Sequence, residues 1–259
     1  MKYKKVAIIA DSTKKAQGVY NLLTTRYSFI DAKLDPTKAD AVIVLSGDGF
    51  MLHNLHKFME HEVPLYGINC GTYGFLLNRN DLDNLQERLQ KSHAATLHPL
   101  EMEICDQNNV CKKALAFNEV SLLRETYQTA NISIIVDGVE QINKMVCDGV
   151  IVATPAGSSA YNMSANGPVI PLSSKLLALT PISPFRPRRW KGALLPSNAN
   201  IELIIQNPKK RPVSAVADFN EFRNVKSVKI RQREDIKMQL LFDPEYKLED
   251  RLIKEQFIL

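Results

Sequence analysis

The first hundred residues alternate between short β-branched apolar runs and segments whose apolar residues recur at helical spacing. Val6 to Ala10 is a strand-type run closed by Asp11-Ser12-Thr13. Those polar residues cap a following helix, whose stripe is Ala16, Val19, Tyr20, Leu22 and Leu23. Ala41 to Leu45 is the next strand and runs into Gly47-Asp48-Gly49. Met51, Leu52, Leu55, Phe58 and Met59 then predict a helix that starts just past the second glycine and reaches about Glu60. Beyond Pro64, Leu65 to Asn69 is a third strand, followed by a second glycine-rich turn from Cys70 to Leu76, and Leu82, Leu85 and Leu89 mark a further helix. Strands alternating with helices, with ligand-type turns at the strand ends, predict a parallel sheet with its ligand crevice at the carboxyl ends of the strands.

Between Ser92 and Pro99 the pattern changes, and from Leu100 to about Leu241 strand-type patterns dominate. Met102 to Ile104, Lys113 to Phe117, Ile132 to Val136, Gly149 to Ala153, Ile201 to Ile205, Val213 to Ala217 and Val225 to Ile230 all read as strands. Asn108-Asn109 and Asp137-Gly138 are hairpin turns, because Asn, Asp and Gly tolerate the left-handed conformations such turns need. At Asp243-Pro244 an N-cap is followed by proline at the first helical position, and Leu248, Leu252, Ile253 and Phe257 recur at helical spacing. The expected fold class is α/β plus β. A Rossmann-like α/β domain with a parallel sheet spans 1–97, a β-rich, sandwich-like domain spans 98–241, and the final helix in 242–259 returns to the first domain.

Composition narrows this only a little. A chain of 259 residues with 45% apolar side chains can bury a substantial core. The net charge of +5 suits an anionic ligand, but 33 basic against 28 acidic residues is a mild excess spread along the chain, with no dense basic tract carrying interleaved aromatics. Nucleic-acid binding is therefore not expected. Cys70, Cys105, Cys111 and Cys147 form no Cys-x-x-Cys pair and read as core thiols of a reducing compartment. The apolar run after Lys4-Lys5 is too short for a signal or membrane segment, so a first strand and a cytoplasmic address are expected, with no membrane partner.

The candidate chemistry sits at strand ends. Gly47 and Gly49 lack a Cβ, permit φ > 0 and let backbone N–H groups approach phosphates, with Asp48 held between them. Asn118-Glu119 places an amide and a carboxylate between apolar neighbours, suited either to sugar hydroxyls or to a satisfied turn pair. Cys147 to Ser164 runs from Asp148 through a strand into Thr154-Pro155-Ala156-Gly157-Ser158-Ser159-Ala160-Tyr161. There hydroxyls and N–H groups beside a helix start would make an anion or nucleotide site, and Tyr161 would stack on a base. Gly-x-Ser-x-Gly is absent, which argues against a serine hydrolase, and so is the Walker A pattern. Arg186 to Lys191 holds four cations beside the only tryptophan and reads either as a solvated or subunit-contact loop or as a phosphate-donor site.

Gly47-Asp48-Gly49, Asn118-Glu119, Asp148-Gly149 and the Thr154 to Tyr161 run, in this order and at these separations, resemble the signatures of the NAD kinase family in its bacterial, ATP- or polyphosphate-dependent form. The glycine-Asp-glycine turn is shared with phosphofructokinases and diacylglycerol-type lipid kinases; the Thr-Pro-x-Gly-Ser-x-Ala-Tyr run is far more specific. The resemblance implies phosphorylation of the adenosine ribose 2′-hydroxyl of NAD, with ATP or polyphosphate as donor, Mg²⁺ or another divalent ion as cofactor, and a homodimer or homotetramer. It implies that Asp48 is the catalytic carboxylate at that hydroxyl. Gly49, Phe50, Asn118, Glu119, Asp148, Ser158, Ser159, Ala160, Tyr161, Ser164 and Asp218 would bind the substrate. Gly47, Gly49, Arg188 and Arg189 are the donor-phosphate candidates, and no metal ligand is assignable. Ser46 stands where the common form has its first glycine, Phe50 where a threonine is usual, and Asp218-Phe219-Asn220 lacks the usual glycine after the aspartate. The alternatives are a diacylglycerol-type lipid kinase and a non-catalytic NAD-binding sensor.

Overall fold

A computed structural model of the chain describes residues 2–30, 38–72 and 74–245. The helix expected after Asp243-Pro244 lies outside them. Up to Leu97 the chain forms β1 (Val6–Ala10), α1 (Lys14–Arg26), β2 (Ala41–Ser46), α2 (Asp48–Phe58), β3 (Leu65–Asn69), α3 (Leu85–Lys91) and β4 (His93–Leu97). From His98 to Asp235 follow β5 (Leu100–Asp106), β6 (Cys111–Ala116), β7 (Glu119–Arg124), β8 (Ala130–Val136), β9 (Val139–Cys147) and β10 (Gly149–Ala153). Next come α4 (Tyr161–Ser164), β11 (Leu176–Ile182), β12 (Ala193–Pro196), β13 (Ile201–Ile205), β14 (Val213–Ala217), β15 (Asn220–Phe222) and β16 (Val225–Gln232). The last strand is β17 (Met238–Phe242). Two compact units result: residues 1–97 with 236–259, and residues 98–235.

The first unit holds a five-stranded sheet in the order β1-β2-β3-β17-β4. β1, β2, β3 and β17 run parallel, and β4 pairs antiparallel with β17 at the edge. β2 is interior, which is why all six of its residues are buried and the sequence reads as an unbroken apolar run. Its Ile43 and Leu45 pack with Ile8, Tyr66 and Ile68 against Ala16 and Leu23 of α1 and Leu85 and Leu89 of α3. Two expectations need correction here. The stretch Met238–Phe242 is a strand of this sheet rather than of the β-rich domain, so the chain returns at Ile236 and not at 242. Its buried apolar residues fit either sheet by pattern, and pairing with β3 and β4 decides the matter. Leu82 also lies outside α3, whose N-cap is Asn84 in the left-handed region.

Buried polar groups fasten this late strand. Asn78, fully buried, donates to the carbonyls of Gly67 and Leu241 and accepts from the Asp243 N–H. The Asp243 carboxylate in turn accepts from the Tyr66 hydroxyl and from Arg88. Burial, then the Asp243 charge, pushes the Tyr66 phenol well above its ordinary range, so it stays a donor.

The second unit packs two six-stranded antiparallel sheets, β12-β11-β10-β7-β14-β15 and β6-β5-β16-β13-β8-β9, as a sandwich. Met102 and Ile104, Val120 and Leu122, Ile132 and Ile134, Val150 and Val152, and Val228 and Ile230 point inward from both sheets into one core. Their spacing of two is the alternation legible in the sequence. Asp137 (φ 49°) and Gly138 (φ 78°) form the β8–β9 turn, both in the left-handed region that a two-residue hairpin requires. The reading of four core thiols holds for only two. Cys105 and Cys111 face each other across β5–β6 and form a disulfide, while Cys70 and Cys147 are buried and free. No described helix is long and apolar enough to cross a membrane.

Removing the Asp243 carboxylate strands the Arg88 cation and the Tyr66 hydroxyl together. Asp243→Ala is expected to cost about 3 kcal/mol in denaturant unfolding, and a loss below about 1 kcal/mol would show that the network does not hold β17 in place.

Candidate active site

In the first unit β2 ends at Ser46, Gly47 is extended (φ −98°, ψ 177°), and α2 begins at Asp48 itself. The helix therefore starts two residues earlier than its apolar stripe predicts, because a first turn needs no apolar residue. Neither Gly47 nor Gly49 takes a positive φ, so backbone conformation does not demand glycine at either position. Packing does not demand it either, since a Cβ built on Gly47 or Gly49 would stand in open space. The fold itself leaves these two glycines unexplained.

Asp48 is held by the second glycine-rich turn. Its Oδ2 accepts from the Phe75 N–H (2.7 Å) and its Oδ1 from the Leu76 N–H (3.1 Å). Gly74 allows this approach, for a Cβ there would lie 3.2 Å from Asp48 Oδ1 and 3.0 Å from Leu77 Cδ1. Two amide donors on two oxygens fix the plane of the carboxylate. Phe50 sits half-buried in the first turn of α2, where its carbonyl accepts from Asn54 Nδ2. The Ser46 hydroxyl is buried and has no hydrogen-bond partner among the described residues.

In the second unit three strand ends converge. Glu119 opens β7 opposite Ala153, the last residue of β10, and Val120 pairs with Ala217, the last residue of β14. The residues just beyond those ends, Thr154 and Asp218, are thereby brought to the corner 117–119. Asp218, at φ 53° in the β14–β15 turn, accepts from the N–H groups of Phe117 (2.7 Å), Asn118 (3.0 Å) and Glu119 (3.3 Å). The Thr154 hydroxyl lies 2.6 Å from the Phe117 carbonyl and accepts from the Gly157 N–H (3.1 Å). Gly157 packs flat on this corner, where a Cβ would overlap the Asn118 carbonyl.

This corner leaves two acceptors unmatched. Asn118 Oδ1 and Glu119 Oε2 are buried and have no hydrogen-bond partner among the described residues. Each unmatched buried group costs about 1–3 kcal/mol, which a ligand hydroxyl at this corner would recover. Burial, reinforced by the Asp218 charge, pushes the Glu119 carboxyl up to about 8, so it carries its proton at neutral pH.

Asp148 lies at the other end of β10, about 17 Å from Ala153 at strand spacing. It pairs with Arg124 (Nε to Oδ1, 2.6 Å), and both side chains are one-third exposed. Gly149 beside it is required, because a Cβ would run into the Leu122 carbonyl. Tyr161, in α4, packs on Ile151 and Ala153, the face of β10 turned away from the sandwich core. Its phenol is raised by burial and then by the charges of Glu119 and Asp148, so it feels both ends of the strand. Asp148, Tyr161 and the Asn118–Glu119 corner are thus arranged along β10.

In the Thr154 to Ser164 stretch several of the hydroxyls and N–H groups that the sequence offers to a ligand are spent on the chain itself. Gly157–Ser159 is a single 3₁₀ turn and α4 has four residues. Its N–H groups are used internally: Gly157 by Thr154, Ser158 by Pro155 and Ala160 by Gly157. Ser158 is fully buried, bonded to the Pro155 carbonyl and accepting from the Ile170 N–H, and Ser159 reaches the Ala156 carbonyl at 3.5 Å. Ser158 is therefore a framework residue. Ala160 caps α4 and Ser164 ends it, exposed. Arg188 and Arg189 lie on an exposed loop, with Arg188 over the Phe185 ring at 5.1 Å.

Arg124 and Asn162 belong to this region and escape a reading of the sequence. Asn162 is buried, donating to the Ser158 and Pro168 carbonyls and accepting from Thr180. Only strand register brings Arg124 to Asp148, and an arginine at the end of a strand carries no signal of its own. Among the described residues no three His, Cys, Asp or Glu side chains group to hold a metal. The single carboxylate of Asp48 suits a magnesium ion that keeps most of its ligands as water and phosphate oxygens.

Comparison with known proteins follows the same division. Residues 5–96 match the ATP-NAD kinase N-terminal domain and residues 117–249 the ATP-NAD kinase C-terminal domain. The NAD kinase of Rickettsia bellii is 48% identical over 257 residues, covering 99% of each chain. That of Rhizobium meliloti is 45% identical over 256 residues, covering 99% of this chain and 98% of its own. Among solved structures, an NAD kinase from Archaeoglobus fulgidus in complex with ATP aligns at TM-score 0.73 and 25% identity, covering 97% of this chain and 98% of its own. Yeast NADH kinase complexed with NADH aligns at TM-score 0.80 over 98% of this chain and 87% of its own; at 20% identity it bears on the fold alone.

A folded-state value near 8 for Glu119, against an ordinary 4.5, means the folded protein binds this proton more tightly than the unfolded chain. The stability linked to it is complete below about pH 4.5 and is lost as pH rises to about 8. Glu119→Gln cannot ionise, so its melting temperature should gain on the native chain by several degrees more at pH 9 than at pH 5. Parallel shifts at the two pH values would refute a buried, protonated Glu119.

Proposed function

Because the chain belongs to the NAD kinase family, and is an NAD kinase by that membership, we propose that it transfers a phosphoryl group to the adenosine ribose 2′-hydroxyl of NAD, with ATP or polyphosphate as donor. The observation that carries this reading is the Asp48 carboxylate, held by two backbone amides between two glycines for which the fold has no use. Phosphoryl transfer asks a protein chiefly to align nucleophile and phosphate, and a fixed carboxylate at the attacking hydroxyl accepts its proton. Open space at Gly47 and Gly49 lets the phosphate chain come close to the start of α2, where N–H groups and the helix dipole favour negative charge.

The second unit supplies the substrate. Asn118 Oδ1 accepts from one ribose hydroxyl and the protonated Glu119 carboxyl donates to another, Tyr161 packs against a ring, and Asp148, oriented by Arg124, holds the far end of the dinucleotide. The length of β10 between Asp148 and the Glu119 corner suits a ligand with two nucleotide halves. Asp218 acts as a positioning residue for that corner. Asp48 would help to hold a divalent ion on the donor phosphates, and that ion would supply neutralisation of charge on the transferred group. Arg188 and Arg189 stay candidates for the donor phosphates. The diacylglycerol-type alternative has no support, since both units match ATP-NAD kinase domains. A homodimer or homotetramer in the cytoplasm belongs to the same proposal.

Purified protein given NAD, Mg²⁺ and either ATP or polyphosphate should form NADP, and the donor that sustains turnover identifies itself. Asp48→Asn should lower kcat by at least about a thousandfold with little change in NAD affinity, and near-native turnover would remove the proton-accepting role. Gly49→Ala should stabilise α2 by about 0.5 kcal/mol while cutting turnover at least tenfold. An alanine variant both more stable and fully active would show that no ligand approaches there.

A further inference from the structure

Cys105 and Cys111 stand directly opposite each other in β5 and β6, at the end of the hairpin that leads into the substrate corner. The neighbouring rung carries the hydrogen bond, from the Asp106 N–H to the Val110 carbonyl, so the cysteines occupy a non-hydrogen-bonded position. At such positions opposing side chains come closest. Cys111 is exposed, and a small thiol or disulfide can reach its sulfur. The hairpin does not depend on the bond for its turn: Asp106 Oδ1 accepts from the N–H groups of Asn108 (2.8 Å) and Val110 (2.9 Å), and Lys226 reaches Asn109 at 2.8 Å. The pair can therefore open without unfolding the hairpin. Cys70 and Cys147 do not compete, since both are buried and burial raises their thiols, Cys147 to about 12.

What the pair restrains is β6. This strand lies at the edge of its sheet, held on one side only by β5, and after Ala116 it passes directly into Phe117-Asn118-Glu119. Asp218 fixes the far end of that segment through three N–H groups, and the disulfide fixes the near end. We propose that Cys105–Cys111 is a reversible dithiol–disulfide site, oxidised by a low-molecular-weight disulfide of the glutathione class, whose closed state stiffens β6 and the Asn118 corner.

The exchange balances in two steps. The Cys111 thiolate attacks one sulfur of the small disulfide, forming a mixed disulfide and releasing one small thiol. The Cys105 thiolate then attacks the Cys111 sulfur and expels the second, so the protein loses two electrons and two protons and the small disulfide gains them.

Protein equilibrated with oxidised glutathione, then denatured and alkylated, should show two modified cysteines, and protein treated with dithiothreitol should show four, the full cysteine count. Amide hydrogen exchange across residues 111–119 should be about threefold or more slower in the oxidised form, a difference that Cys111→Ser should abolish. Four alkylated cysteines after glutathione disulfide, or a stable glutathione adduct on Cys111, would overturn the reversible pair. Equal exchange in the two redox forms, or a redox difference that persists in Cys111→Ser, would overturn its hold on β6. Neither readout depends on catalytic activity.

Discussion

Gly157 has no side chain because the carbonyl of Asn118 occupies the place where one would stand. That contact fixes the second unit's functional corner. It lets the 154–157 turn lie flat on residues 117–119, brings the Thr154 hydroxyl to the Phe117 carbonyl, and leaves the N–H groups of the corner facing Asp218. Asp218 neutralises three backbone donors that no strand can satisfy, because the chain there is changing from β6 to β7 and from one sheet of the sandwich to the other. Hydrogen-bond demand is met on the backbone side and left unmet at Asn118 Oδ1 and Glu119 Oε2. A corner built this way is rigid and still short of hydrogen-bond partners, a suitable state for a surface that recognises hydroxyl groups.

The two units place their candidate residues on different kinds of backbone. The parallel sheet of the first unit ends its interior strand at a helix start, so Asp48 occupies the first turn of α2 and takes its orientation from the Phe75 and Leu76 amides. The antiparallel sandwich of the second unit places Asp148 and the Glu119 corner at opposite ends of β10, with Tyr161 packed along the strand. One unit holds a single fixed carboxylate, and the other spaces its groups along a straight, stiff strand.

Much of this was legible from residue pattern. The apolar runs of β1, β2 and β3 marked a buried parallel sheet, and the alternation in β8, β13 and β14 marked sheets with one face in a core, because side-chain period and burial follow directly from strand geometry. The turn at Asp137-Gly138 was legible for a similar reason, since only a few residue types accept its conformation. The strands β4, β7, β9, β11, β12, β15 and β17 were not, because their pairing partners, and not their own composition, make them strands.

The sequence by itself determined the two kinds of domain and the family, because local periodicity and a specific run of small and polar residues depend only on neighbours along the chain. Only the tertiary structure decided which partner each candidate residue meets. Ser158, a hydroxyl beside a glycine turn, is spent on the Pro155 carbonyl and the Ile170 N–H, while Arg124, unremarked in the sequence, orients Asp148. Cys105 and Cys111, two scattered thiols by spacing, meet because antiparallel register sets them opposite each other. Hydrogen-bond partners come from strand register and loop closure across tens of residues, and no window of sequence contains both ends of such a bond.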